Sequence, residues 1–193
     1  MTLPNPFAES ARTLLIRPLR TLWREGLNLL FPPRCVSCHT WGDWLCARCL
    51  AEIPYLAPPL CLRCSRPLRQ PGLCNDCRRE SPPFDSIHAV AFYNGSLRAA
   101  IIELKYGSVQ AVAEPLSDLL WRHWQQAPLP ATLVVPVPAH PHRLKERGYN
   151  QAALLAKPLA QRTGLPLAEK ALSRTRHTEK QVLLTGAQRW DNV

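Results

Sequence analysis

The chain has 193 residues, with 24 Lys and Arg against 14 Asp and Glu, a formal net charge of +10, and 46% hydrophobic against 20% charged residues. That balance excludes an acidic disordered protein and suffices for one globular domain carrying a small module. Arg12, Arg17, Arg20 and Arg24 cut the apolar N-terminus, so no run of about 18 apolar residues is left to span a membrane. No compact apolar run with a small-residue cleavage site follows either, which argues against a secretory signal.

Residues 1–34 come first. Pro18 suits the first position of a helix, and Leu19, Leu22, Trp23, Leu27 and Leu30 recur at helical spacing until Pro32 and Pro33 stop it. The pattern predicts a basic amphipathic helix docked on its own domain rather than lying on a membrane surface.

Residues 35–80 hold all eight cysteines, each in a Cys-x-x-Cys pair: Cys35/Cys38, Cys46/Cys49, Cys61/Cys64 and Cys74/Cys77. A two-residue spacer lets both thiolates of a tight turn face one metal ion, and two such turns complete a tetrahedral four-thiolate zinc site. Seven residues separate Cys38 from Cys46 and nine separate Cys64 from Cys74, each enough for a short hairpin. Sequential pairing is therefore favoured, with interleaved pairing left open. A disulfide framework needs an oxidising compartment, and a thioredoxin-like centre needs one pair on a βαβ unit rather than four in a row. The expectation is two structural zinc ions. Arg63, Arg66, Arg69, Arg78 and Arg79 surround this module and read as solvated charges.

Ser81-Pro82-Pro83 forms a stiff linker, after which residues 84–193 alternate strand and helix patterns. Residues 87–93 read as a strand, Asn94-Gly95 as a turn, and Ser96 as the cap of a helix bearing Leu97, Ile101 and Leu104. A second helix is expected over 109–125, with Pro115 as a kink or restart. The continuous apolar run 132–136 has the form of a buried parallel strand, and 151–163 that of a helix ended by Gly164 and Pro166. Such alternation implies an α/β fold whose ligand lies beyond the carboxyl ends of the strands.

The segment in that position, residues 136–151, concentrates Arg143, Lys145 and Arg147 with His140 and His142. Guanidinium forks match phosphate oxygens, Gly148 permits close backbone approach, and the next helix offers free amides. A solvated basic loop is the bland alternative. No carboxylate partner is visible for either histidine, so no catalytic residue is assigned. Asn150 reads as a helix cap, and Tyr149 either stacks on a base or packs beneath the loop.

Taken in order, the four Cys-x-x-Cys turns, Tyr93-Asn94-Gly95-Ser96-Leu97-Arg98, Leu104-Lys105-Tyr106, Val135-Pro136-Val137-Pro138, Arg147-Gly148-Tyr149-Asn150-Gln151 and the Arg174-to-Gln181 stretch resemble the ComF family over residues 27–193. The resemblance implies an α/β fold: a type I phosphoribosyltransferase-like parallel sheet, C-terminally incomplete, behind an N-terminal double zinc-ribbon-like module. It also implies a cytoplasmic protein linked to DNA uptake in bacterial competence, with single-stranded DNA or a phosphoribosyl ligand as partner alongside DNA-uptake helicase or translocase proteins. The family's phosphoribosyl-pyrophosphate loop, an acidic pair followed by Thr-Thr-Gly, would lie downstream. Leu184-Thr185-Gly186-Ala187 lacks the acidic pair and is not that loop, so the sequence as given is expected to be inactive in phosphoribosyl transfer, and phosphoribosyl pyrophosphate is expected only in a complete chain. Lys105, Arg143, Arg147, Tyr149, Arg174, Arg176 and Gln181 are the candidate phosphate- or nucleic-acid-binding residues. Three functions fit: a competence accessory protein that binds DNA, a phosphoribosyltransferase, or a zinc-stabilised adaptor.

Overall fold

A computed structural model describes residues 32–80, 82–176, 178 and 184–191. The expected N-terminal helix and Gln181 lie outside the described residues. None of the described helices is long and apolar enough to cross a membrane.

Two ribbons of the same design open the described chain. In the first, the Cys35 amide donates to the Thr40 carbonyl at 2.9 Å and the His39 amide to the Cys35 carbonyl at 2.8 Å; in the second, Cys61 to Arg66 at 2.8 Å and Ser65 to Cys61 at 3.0 Å repeat the pattern. His39 and Ser65, each directly after its knuckle's second cysteine, share left-handed φ values of 60° and 56°. The second cysteine pair of each ribbon starts a short helix, α1 (Ala47–Ala51) after Cys46 and α2 (Asn75–Arg79) after Cys74.

Beyond the linker run α3 (Gly95–Tyr106), a 3-10 turn (Gln110–Val112), α4 (Ala113–Gln126), α5 (Pro141–Arg147), α6 (Gln151–Thr163) and α7 (Gly186–Asp191). Pro115 sits in the first turn of α4, where its missing amide costs nothing, so the expected second helix restarts there. Gly164, at φ 72°, ends α6 in the left-handed conformation a glycine adopts without strain. Thr185 and Gln188 form a reciprocal cap on α7, the Thr185 amide donating to Gln188 Oε1 at 2.9 Å and the Gln188 amide to Thr185 Oγ1 at 3.4 Å.

The expected strands do not form ladders among the described residues. Segment 87–93 makes a single antiparallel bridge, Ala91 with Tyr55, and segment 132–136 a single parallel one, Val134 with Leu167. Prolines explain the brevity: Pro54, Pro136 and Pro166 flank these bridges and have no amide hydrogen to extend them. The expected type I phosphoribosyltransferase-like parallel sheet is therefore not seen among the described residues, whose parallel pairings are the isolated bridges Val134–Leu167 and, in the second ribbon, Cys61–Gly72. Ser96 is a second correction. Asn94 precedes the helix, and the buried Ser96 hydroxyl instead donates to the Cys49 carbonyl at 2.6 Å, tying α3 to the first ribbon.

That tie reflects how the core is shared. Cys35, Leu45, Cys49 and Ile53 of the first ribbon belong to the same buried cluster as Ala100 and Leu104 of α3, Leu116 and Leu119 of α4, and Tyr149. Each leucine withdrawn from water there contributes about 1.5–3 kcal/mol. Cys61, Cys74 and Cys77 of the second ribbon form a separate cluster with Leu68 and Leu73. Helices α4 and α6 pack together, and Arg162 of α6 pairs with Asp118 of α4 at 2.5 Å.

Candidate functional site

Each ribbon gathers one cysteine tetrad. Cys35, Cys38, Cys46 and Cys49 bring four Sγ atoms within 4.8 Å of one another, as do Cys61, Cys64, Cys74 and Cys77, so pairing is sequential. A tetrahedron with zinc–sulfur bonds of about 2.3 Å has sulfur–sulfur edges of about 3.8 Å. Cys38 and Cys46 Sγ stand 3.6 Å apart, and Cys64 and Cys74 Sγ 3.8 Å, so both tetrads fit the ion. Burial pushes the Cys49 and Cys77 thiols up to about 12. The hydrogen bond with the Thr40 side chain brings Cys38 down to about 5, and the Cys74 amide brings Cys61 down to about 6. Because zinc binds thiolates and not thiols, filling either tetrad would release protons, and the hold on the ion tightens as pH rises. These are structural centres, with all four positions taken by protein sulfur.

The second site is a cleft of about 570 Å³ whose lining includes Lys105 and Tyr106 of α3, Arg143 and Arg147 of α5, Gln151 of α6, and Arg174 with Thr178. Segment 136–151 is not the open loop its composition suggested. His140 caps α5, its Nδ1 accepting the His142 amide at 3.2 Å, and Pro141 follows at the first helical position. Residues 143 and 147, four apart, then share one face of α5 and reach the same cleft. Gly148, at φ 82°, ends the helix and turns the chain inward. Asn150 caps α6 by accepting the Ala152 amide at 3.0 Å, while its Nδ2 donates to the Val137 carbonyl at 3.0 Å. That pair of bonds clamps the 137–140 wall to the helix.

Among the candidates, Lys105, Arg143, Arg147 and Arg174 meet in this cleft. Arg176 lines an adjoining depression of about 400 Å³ that shares Arg174, Thr178, Val137 and Pro138 with it. Tyr149 does not face the cleft as an open ring. It is 7% exposed and donates its hydroxyl to the Leu104 carbonyl at 2.6 Å, and burial pushes its phenol up. The ring is a packing element under α3, which leaves no face on which a base could stack. Tyr106, absent from the sequence-derived candidates, is the exposed aromatic instead, with the Arg147 guanidinium 5.6 Å from its ring centre. Arg143 is engaged by Glu146, Nη1 to Oε2 at 3.2 Å, and Arg174 by the Thr178 hydroxyl at 2.5 Å.

A double zinc ribbon domain matches residues 26–78. The chain is 28% identical to "Competence protein F" of Haemophilus influenzae over 83% of its own length and 73% of that protein's. It is 30% identical to "DNA utilization protein YhgH" of Escherichia coli K12 over 86% and 77% of the respective lengths. The chain belongs to the ComF family. A more distant ComF-family relative, "Competence protein ComFC" of Bacillus subtilis, is 27% identical over 64% of this chain and 54% of its own. No solved structure matches the chain. Both the ribbons and the 104–106 and 147–151 motifs of this ComF-family chain lie within the described residues, the first at the zinc centres and the second around the cleft.

Proposed function

We propose that this ComF-family chain is a cytoplasmic competence accessory protein that holds single-stranded DNA in the basic cleft, on a phosphoribosyltransferase-like platform stabilised by its zinc ribbons. The convergence of Lys105, Arg143, Arg147 and Arg174 on one cleft carries the reading. Four cations from three separate segments serve a polyanion better than they serve folding, because placing like charges together costs free energy unless an anion offsets it. The relatives named for competence and DNA utilization supply the context, and the partners proposed with this reading are DNA-uptake helicase or translocase proteins.

For single strands the log of the binding constant falls with log salt at about −0.7 per neutralised phosphate, so four cations give a slope of about −2.8. Fluorescence anisotropy of a labelled oligodeoxythymidylate titrated at several salt concentrations measures it. Replacing Arg143 and Arg147 together by Ala flattens the slope by about 1.4 while zinc content stays at two per chain. An unchanged slope in that variant would falsify the reading. The same compact set of cations also suits a pyrophosphate, so phosphoribosyl pyrophosphate is titrated in parallel. If the double variant loses that ligand and keeps its DNA slope, the cleft belongs to a phosphoribosyltransferase.

A further inference from the structure

The exposed ring of Tyr106 has no part in the electrostatic account of the cleft. It sits on the last turn of α3, 59% exposed, next to Lys105 and facing the cavity that Arg143, Arg147 and Arg174 line. Neighbouring aromatic Tyr149 shows what packing does with such a side chain here: it is sunk to 7% exposure with its hydroxyl satisfied. Trp41, Tyr55, Phe92 and Tyr93 are exposed to a similar degree, so what marks Tyr106 is its place in the lining of a cleft shared with Arg143, Arg147 and Arg174.

Its surroundings define what it can contact. The Arg147 guanidinium lies 5.6 Å from the ring centre, at the outer limit of cation–π reach. Phosphate oxygens gain nothing from the electron-rich face of a phenol ring, so Tyr106 adds nothing to a bare phosphate or pyrophosphate. A nucleobase does gain, and grooves that pair cations with an aromatic platform are the arrangement by which single strands are held without sequence preference.

We propose that Tyr106 is the base-stacking platform of this cleft, so that its ligand is a nucleotide unit whose base has left the duplex stack. The inference rests on the DNA-binding reading above and adds to it the origin of single-strand selectivity. In a duplex the faces of every base are covered by their neighbours, and only an unpaired strand can lay one on Tyr106 while its flanking phosphates reach Arg143 and Arg174. The adjoining depression at Arg174 and Arg176 continues the same wall and accepts the next stretch of backbone.

The test crosses two proteins with two strands. The full chain and its Tyr106→Ala variant are titrated with an oligodeoxythymidylate bearing one 2-aminopurine and with a strand of equal length that is abasic at its centre. Stacking is worth about 1–3 kcal/mol per base, so Tyr106→Ala weakens the base-bearing strand about 5- to 150-fold. It leaves abasic-strand affinity, duplex affinity and the salt slope unchanged, and it abolishes the fluorescence change of 2-aminopurine on binding. Tyr106→Phe and Tyr106→Trp restore both signals, since only a flat ring is required. Equal weakening of both strands would show that the ring merely orients Arg147 and would overturn the proposal, as would an unaltered affinity for the base-bearing strand. If Arg143→Ala with Arg147→Ala flattens the slope while Tyr106→Ala is silent, this inference alone fails. If neither has an effect, the DNA-binding reading fails with it.

Discussion

The two zinc centres are alike in ligands and unlike in what they support, and paired cysteine variants should separate them. Cys46 and Cys64 are both half-buried ligands, so Cys46→Ser and Cys64→Ser each remove one sulfur of similar burial, from the first and the second tetrad respectively. A structural zinc in a small peptide contributes about 10–16 kcal/mol at neutral pH, against a total stability of about 5–15 kcal/mol for an ordinary domain. The first tetrad shares its buried cluster with Ala100, Leu104, Leu116 and Tyr149, and Ser96 hydrogen-bonds the Cys49 carbonyl. Loss of that ion should therefore abolish the main cooperative melt and, through α3 and Tyr149, the geometry of the basic cleft. Among the described residues the second tetrad packs with Leu68 and Leu73, outside the helical core, and its ribbon meets the rest of the chain through hydrogen bonds of Arg63 and Ser65 to segment 87–89, so its loss should leave one zinc per chain, a main transition within a few degrees of the original and near-normal DNA affinity. Metal content, circular-dichroism melting and oligonucleotide anisotropy on both variants decide the matter. A Cys46→Ser protein that melts like the parent, or a Cys64→Ser protein that loses its main transition just as completely, would refute the shared-core argument.

Three further outcomes follow from single contacts. Glu146→Gln releases Arg143 from a half-exposed ion pair of the kind worth about 0.2–1 kcal/mol, so DNA affinity at low salt should rise by up to about fivefold; a fall would show that Glu146 positions Arg143 instead. His123 has its pKa lowered by burial and by the charge of nearby His88, and its Nε2 is buried with no hydrogen-bond partner among the described residues. Its folded pKa lies below the unfolded value of about 6.5, so stability is flat above pH 6.5 and is lost as pH falls through the folded pKa, where the unfolded chain binds the proton first. Denaturant titrations at pH 7.5 and pH 5.5 should show a smaller loss for His123→Gln than for the parent, and equal losses would contradict this. Ser96→Ala leaves the buried Cys49 carbonyl without its 2.6 Å donor, which should cost about 1–3 kcal/mol in urea unfolding with zinc content intact. A change within experimental error would show that water or another donor replaces the hydroxyl.

Features encoded over a few residues could be read without coordinates. The Cys-x-x-Cys spacing determined both zinc tetrads and, through the hairpin lengths, favoured their sequential pairing, because a knuckle is closed by its own turn. Asn150 as a cap and Gly164 as a terminator marked α6 to the residue, since capping is satisfied by neighbours along the chain. Tertiary structure decided what depends on distant partners. Whether segments 87–93 and 132–136 became ladders turned on strands that could run beside them, and flanking prolines left each with one bridge. Whether Tyr106 or Tyr149 would meet a ligand could not be read from composition, because the two tyrosines differ only in which way α3 and the Gly148 turn point them. The meeting of Lys105 with Arg143, Arg147 and Arg174 belongs to the same class, as does the fusion of one ribbon, and not the other, with the helical core. Local rules determine how a segment ends and what it chelates, whereas burial and convergence are set by contacts between residues tens of positions apart, which no spacing within a motif encodes.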